Sequence, residues 1–161
     1  MRTAILCIFL LLPAFAHALP CANDEEQRAL NVRALMSELM IAGLSCDERD
    51  NYSRFVSQHK SYLGEQARVM RAYFARHYKR GSESQMNRFV TRIANTTSRD
   101  SWGGDMPFCE HARQVFSDVN SMSEEEMDRF VANARYTTKT GVSCGKMQTA
   151  KAKEQKFAKK D

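Results

Sequence analysis

Apolar residues recur at helical spacing along most of this chain, and no stretch alternates over six or more residues as a half-buried strand would. After residue 18, proline stands only at positions 20 and 107, so few positions interrupt a helix. We therefore predict an all-α domain over residues 19–144, a single bundle of four to six helices joined by short loops. The predicted helices run over 24–43, within 50–80, from 82 to just before 103, from 105 and from 123.

The predicted helix starts carry side chains that can accept hydrogen bonds from free backbone amides. Asn23 with Glu26, and Ser123 with Glu126, each fit the pattern of a capping box. Gly64 lies in the middle of the second predicted helix and is the candidate position for a break into two pieces.

The first 18 residues have the three regions of a secretory signal peptide. Arg2 precedes the apolar run 4–12, and the pattern Ala16-His17-Ala18 predicts cleavage after Ala18. The apolar run is about half the roughly 20 residues that span a bilayer, so a membrane anchor is less favoured. We expect a periplasmic or secreted protein with no transmembrane segment in its mature form.

Four cysteines follow the predicted cleavage site, at positions 21, 46, 109 and 144, and two disulfides are expected in an exported chain. Cys21 and Cys46 flank the first predicted helix, whose ends lie roughly 30 Å apart. A disulfide needs Cα atoms within about 7 Å, so Cys21–Cys46 is excluded if the helix forms. The pair Cys109–Cys144 belongs to the same pairing scheme and is excluded together with it. An up-and-down path brings the start of the fourth helix back to the end of the first. We therefore predict Cys46–Cys109 and, by default, Cys21–Cys144; a Cys21–Cys109 linkage would contradict this.

Four segments between about 45 and 120 read "CDERDNYSRFVSQHKSYL", "AYFARHY", "MNRFVTRIANTTS" and "FCEHARQVF". Together they resemble an uncharacterised group of small exported proteins of Gram-negative bacteria. That group has a cysteine before "YNxFV"-like residues, an "LAN"-like helix and a later "FC"; this chain departs from it with "NYSRFV" and "RIAN". The resemblance implies export, an α-helical fold and pairing of Cys46 with Cys109, and it implies no function.

The net charge of +5 is concentrated at the end of the chain. Residues 19–144 hold equal numbers of acidic and basic residues, whereas 145–161 set six lysines against Glu154 and Asp161. Such a tail can contact an anionic surface such as lipid headgroups, or it can serve only to keep the chain soluble. The candidate contacts are Lys146, Lys151, Lys153, Lys156, Lys159 and Lys160.

A second basic segment spans 66–99, where Glu83 is the one acidic residue. It predicts either an anion-binding face or helices that lie beside the acidic segments 24–50 and 100–128, and charge pairing is the favoured interpretation. The lysine tail has one aromatic residue and no arginine, so the sequence does not favour nucleic-acid binding.

Cys109, Glu110 and His111 stand in a row and are residue types that serve as a catalytic nucleophile and its base. Residues two apart on a helix point about 200° from each other, so Cys109 and His111 do not face. His59 and His77 have no close ligand spacing with another histidine. There is also no nucleophile elbow, phosphate loop or dinucleotide turn. We predict no catalytic site, no metal site and no cofactor.

These features favour a non-catalytic exported protein that acts as a protein-binding module in an unknown process. The second hypothesis is an envelope-associated protein that binds anionic surfaces through its lysine tail. The third is a small secreted hydrolase that uses His59, His77 or His111.

Overall fold

The computed structural model describes residues 19–103 and 108–142. Helix α1 spans Asp24–Ser45 and begins with the predicted capping box. The Glu26 N–H donates to Asn23 Oδ1 at 2.9 Å, and the Asn23 N–H donates to Glu26 Oε2 at 3.0 Å. These bonds satisfy two backbone amides that the helix itself leaves without partners.

The second predicted helix is two helices, α2 at Arg49–Gln58 and α3 at Lys60–Tyr78. The break falls at His59, whereas Gly64, the expected position, lies inside α3. The His59 Nε2–H donates to the carbonyl oxygen of Val119 at 2.8 Å, 60 residues further along the chain. The break is therefore fixed by a long-range contact, which local sequence does not encode.

A 3₁₀ turn at Lys79–Gly81 leads into helix α4 at Ser82–Gly103. The inner side of α4 carries the buried residues Phe89 and Ile93. The Phe89 ring lies 5.6 Å from the Phe74 ring of α3, measured between centroids, so an aromatic contact joins these two helices.

Three shorter helices follow, α5 at Phe108–Val119, α6 at Glu124–Val131 and α7 at Ala134–Thr140. Helix α6 begins with the predicted capping box of Ser123 and Glu126. The sequence did not predict α7, because its threonines are weak helix formers. Burial of Tyr136 and Thr140 against the rest of the molecule stabilises it, and Gly141 ends it at a φ of 66°.

Helix α1 is the central element and contacts each of α2 to α7. Apolar residues are buried around most of its circumference, which is typical of a core helix. The buried polar residue Asn31 ties the short helices to it: Asn31 Nδ2 donates to the Val131 carbonyl oxygen at 2.8 Å and to Thr137 Oγ1 at 3.1 Å. The apolar side chains that α1 buries are Ala29, Leu30, Val32, Ala34, Leu35, Leu39 and Ala42.

The all-α helical bundle predicted from the sequence is confirmed. Within the described ranges there is no strand, and one parallel bridge pairs Leu19 with Val142. None of the helices in 19–103 and 108–142 is long and apolar enough to cross a membrane.

Candidate functional site

The predicted disulfide between Cys46 and Cys109 is present, with a Cα–Cα distance of 5.4 Å. It joins the C-terminal end of α1 to the first turn of α5. A sulfur held in a disulfide is not a thiolate, so in this oxidised form Cys109 has no nucleophile to offer. In this form Cys109 has a structural role, because its disulfide links α5 to α1.

Other predicted features lie outside the described residues. They are the signal peptide at 1–18, Cys144 and the tail at 145–161 with all six of its lysines. The pairing of Cys21 with Cys144 therefore stays a prediction.

The three histidines predicted as candidates for a hydrolase contact different partners. His59 is buried and bonds the Val119 carbonyl oxygen, as described above. The ring of His77 packs on that of Tyr73, with 4.8 Å between centroids. His111 lies beside Glu38. In residues 19–103 and 108–142, no three His, Cys, Asp or Glu side chains are grouped so that they could hold a metal ion.

His111 belongs to a cluster of charges around Glu38, whose side chain is 0% exposed. The Glu38 carboxylate pairs with Arg135 of α7 and lies 3.4 Å from Lys139 Nζ, also on α7. His111 Nε2 is 3.5 Å from Glu38 Oε1 and also contacts Arg135. Burial, and then the charge of Arg135, lower the pKa of His111 from its ordinary value. The cluster joins α1, α5 and α7 through one buried carboxylate.

The sequence left two interpretations of the basic segment 66–99: charge pairing and an anion-binding face. Some of its arginines have partners within the fold, and others do not. Arg76 pairs with Glu26 of α1 at 2.6 Å, and Arg68 pairs with Glu65 at 2.5 Å. Arg92 donates to the carbonyl oxygens of Thr140 at 2.7 Å and Lys139 at 3.3 Å, at the C-terminal end of α7. Apart from Arg92, four exposed arginines of the segment make no ion pair with a described residue: Arg71, Arg80, Arg88 and Arg99.

A crevice of about 100 Å³, the α1–α3 crevice, opens between α1 and α3. Two buried polar atoms on its lining residues, Arg33 Nε and Gln66 Oε1, have no hydrogen-bond partner. Gln66 is only 7% exposed, and burial lowers the pKa of Arg33. Its walls are Ala29, Val32, Arg33 and Met36 from α1 with Leu63, Gln66, Ala67 and Met70 from α3.

An apolar stripe on α1 continues from this crevice. Met36, Met40 and Leu44 stand four residues apart, so they share one side of the helix and extend over roughly 12 Å. The two methionines are half-buried, and Leu44 is 64% exposed. We call Met36, Met40 and Leu44 the methionine face.

This surface was not among the features predicted from the sequence. The spacing of Met36, Met40 and Leu44 was visible, but α1 is apolar on most sides, so spacing alone does not show which side stays open. The two unpartnered atoms depend on how α3 crosses α1, which no local pattern reveals.

No protein-family model matches the chain, and comparison with curated proteins and with solved structures finds no match.

Proposed function

We propose that this chain is an exported, non-catalytic binding protein, periplasmic or secreted, and that its partner is another protein. One observation carries the proposal: the methionine face is an apolar surface, with Leu44 64% exposed, that lies beside the α1–α3 crevice. A protein that docks here would cover these apolar side chains.

Physical chemistry favours a protein surface as the occupant of this site. Methionine is flexible and polarisable, so it adapts to the shape of a partner and is common at binding surfaces. Interface cores commonly combine an apolar centre with a few well-placed polar groups.

Export is supported by the sequence of residues 1–18 and by the disulfide, which is typical of oxidising compartments. We further propose that Cys21 pairs with Cys144. The bridge between Leu19 and Val142 supports this, because each partner of the bridge is two residues from one of the cysteines. The resemblance to small exported proteins of Gram-negative bacteria is consistent with the same location.

Photo-cross-linking in the intact cell tests the proposal. A photoreactive amino acid replaces Met36 in one variant and the exposed Thr138 of α7 in a matched control. We expect a defined protein adduct from position 36 and none of that mass from position 138. Adducts that form only from position 138, or equally from both, would contradict binding at the methionine face.

A second candidate function is attachment to an anionic surface of the envelope. The observation in its favour is the exposed side of α4, where Arg88 and Arg99 lie 11 residues apart, on the same side of the helix. Neither forms an ion pair with a described residue. This surface would act together with the lysine tail.

Cosedimentation with vesicles that contain anionic lipid tests this alternative. Each arginine near such a surface contributes on the order of 1 kcal/mol, so R88Q with R99Q should weaken binding by more than tenfold. The control pair R54Q with K60Q removes equal charge from exposed positions on α2 and α3. Equal binding by both double variants would exclude the α4 surface. A variant with glutamine at all six tail lysines measures the contribution of the tail to vesicle binding separately.

A further inference from the structure

The corner between α3 and α4 is an exposed basic turn, formed by Lys79, Arg80 and Gly81. We infer that the Arg80–Gly81 peptide bond is the site at which an endoprotease specific for arginine cleaves the folded protein. The Cys46–Cys109 disulfide then holds the two fragments together. The corner shares no residue with the methionine face, so this cleavage is independent of the proposed binding function.

Arg80 can be approached by a protease from the solvent. Lys79, Arg80 and Gly81 are exposed, and neither cation makes an ion pair with a described residue. A Cβ placed on Gly81 would meet no atom within 4 Å, so no neighbouring group crowds the bond on its C-terminal side. The Arg80 guanidinium is therefore free to pair with the carboxylate that selects arginine in a protease pocket.

Arg80 also differs from the other arginines in its backbone structure. In residues 19–103 and 108–142 every other arginine lies in an α-helix, where backbone hydrogen bonds hold the chain in a coiled shape. A protease cleft binds its substrate as an extended segment, so a bond inside an α-helix must first unwind. Arg80 instead lies in the three-residue 3₁₀ turn, in which hydrogen-bond geometry is poorer than in an α-helix.

The backbone of Lys79 is strained at this corner. Its φ is 47° and its ψ is −117°, a conformation that residues with a side chain rarely adopt. Opening of the corner releases this strain and raises the fraction of molecules in which the bond is accessible. Opening also exposes little apolar surface, because no fully buried residue lies between Phe74 and Phe89. The first turn of α4 can thus unwind while the core stays packed.

Cleavage adds one water molecule across the bond between Arg80 and Gly81. The carbonyl carbon of Arg80 gains the hydroxyl and becomes a carboxylate once its proton leaves, and the nitrogen of Gly81 gains the hydrogen and becomes an amino group. The cut falls between Cys46 and Cys109 in the sequence, so the disulfide joins the fragment that ends at residue 80 to the one that begins at residue 81. The packing of α3 on α4 also remains, and the product is a two-chain protein with the same fold.

Limited digestion of the purified oxidised protein by an arginine-specific serine endoprotease, which needs no thiol, tests the inference. Residues 145–161 contain no arginine and are not cut. We expect the first cleavage within residues 19–161 to create an N-terminus at Gly81, with the mass before reduction increased by one water molecule. Reduction should then separate the fragments, and circular dichroism of the unreduced product should show nearly unchanged helical content. A first cut at another arginine, or fragments that separate without reduction, would overturn the inference.

Four variants supply controls. Arg80→Gln should remove this cut, whereas Arg88→Gln, at an exposed helical position beside the buried Phe89, should leave its rate unchanged. Lys79→Gly should slow the cut about fivefold, because glycine adopts a positive φ without strain and the closed corner becomes more stable. Lys79→Ala keeps the strained backbone and should be cut at the wild-type rate. Cleavage of Arg80→Gln at the wild-type rate, or equal rates for the two Lys79 variants, would contradict the assignment.

Discussion

Glu38 of α1 joins α5 and α7 to the central helix through its buried carboxylate. Its carboxylate has no exposure to water and faces Arg135, Lys139 and His111. Lys139 Nζ is also 3.7 Å from Asp100 of α4, so the cluster extends to a fourth helix. A buried charge is tolerable only while its counter-charges stay in place.

Changing Glu38 to glutamine should lower the free energy of unfolding by about 2 kcal/mol. Loss of one partner of a buried ion pair costs about 3–5 kcal/mol, and the value here is smaller because Arg135 is 36% exposed and can be hydrated. Urea denaturation measures the change. The control Glu25→Gln, at an exposed position of the same helix, should cost about half a kcal/mol at most. Equal effects of the two variants would show that the cluster contributes nothing.

Helix α7 is held by polar contacts in addition to the burial of Tyr136. It is seven residues long, and an isolated helix of that length is not stable in water. Arg92 binds its terminal carbonyls, Asn31 binds Thr137, and Gln27 Nε2 donates to Thr140 Oγ1 at 3.0 Å. The Glu38 cluster adds the charges on Arg135 and Lys139. Because this cluster contains the imidazole of His111, the attachment of α7 to the fold should respond to pH.

His111 should make stability fall in mild acid. Its pKa is lowered in the folded protein by burial and by Arg135, and returns to about 6.5 on unfolding. Between these two pKa values the unfolded chain binds more protons than the folded protein does. The free energy of unfolding is therefore highest above about pH 7.5, and it falls as the pH drops through about 6.5 toward the lower pKa of the folded protein. The charged groups that face the imidazole are Glu38, Arg135 and Lys139.

Thermal unfolding of the wild type and of His111→Gln between about pH 7.5 and 5.5 checks this sign. The wild type should lose more stability than the variant over that interval, because the variant has no group that titrates there at this position. If the thermal unfolding midpoint of the wild type falls no more than that of the variant, His111 is not the source of the loss of stability in mild acid.

At the scale of the whole molecule, the disulfide between Cys46 and Cys109 links the end of α1 to the start of α5. It spans a sequence separation of 63 residues. Changing both cysteines to alanine should lower the free energy of unfolding by about 4 kcal/mol, from the chain entropy that the link removes from the unfolded state. Urea denaturation with far-ultraviolet circular dichroism measures this.

The same double variant should keep its helical content, since the core helices do not depend on the link for their local structure. An unchanged denaturation midpoint would contradict a stabilising role for the disulfide. Peptide mapping without reduction of the wild type should also yield a Cys21–Cys144 peptide, and a Cys21–Cys109 peptide would contradict both pairings.

The sequence predicted the features that local pattern or simple geometry determines. The capping boxes at Asn23 and Ser123 need only neighbouring residues. The link from Cys46 to Cys109 needs only the length of one helix and an up-and-down path. These predictions use only neighbouring residues or the order and length of the helices, and they agree with the structure.

Features that depend on long-range contacts were not predictable in this way. The break at His59 requires the Val119 carbonyl, and α7 requires Glu38 and Arg92 from distant parts of the chain. The half-buried position of His111 in the Glu38 cluster depends on Glu38 and Arg135, which come from distant parts of the chain. The α1–α3 crevice depends on how two helices cross, and so it could be found only in three dimensions.

The central claim is that the methionine face is covered by a partner in the cell, and methionine oxidation measures this most directly. Brief oxidation is applied to intact cells and to the purified protein, and sulfoxide is quantified by peptide mass spectrometry. Met86 and Met122 are also half-buried and lie elsewhere on the fold, so they serve as internal controls. We predict that Met36 and Met40 are protected in cells relative to the purified protein, while Met86 and Met122 react equally in both. Equal oxidation of Met36 and Met40 in the two samples would contradict the account.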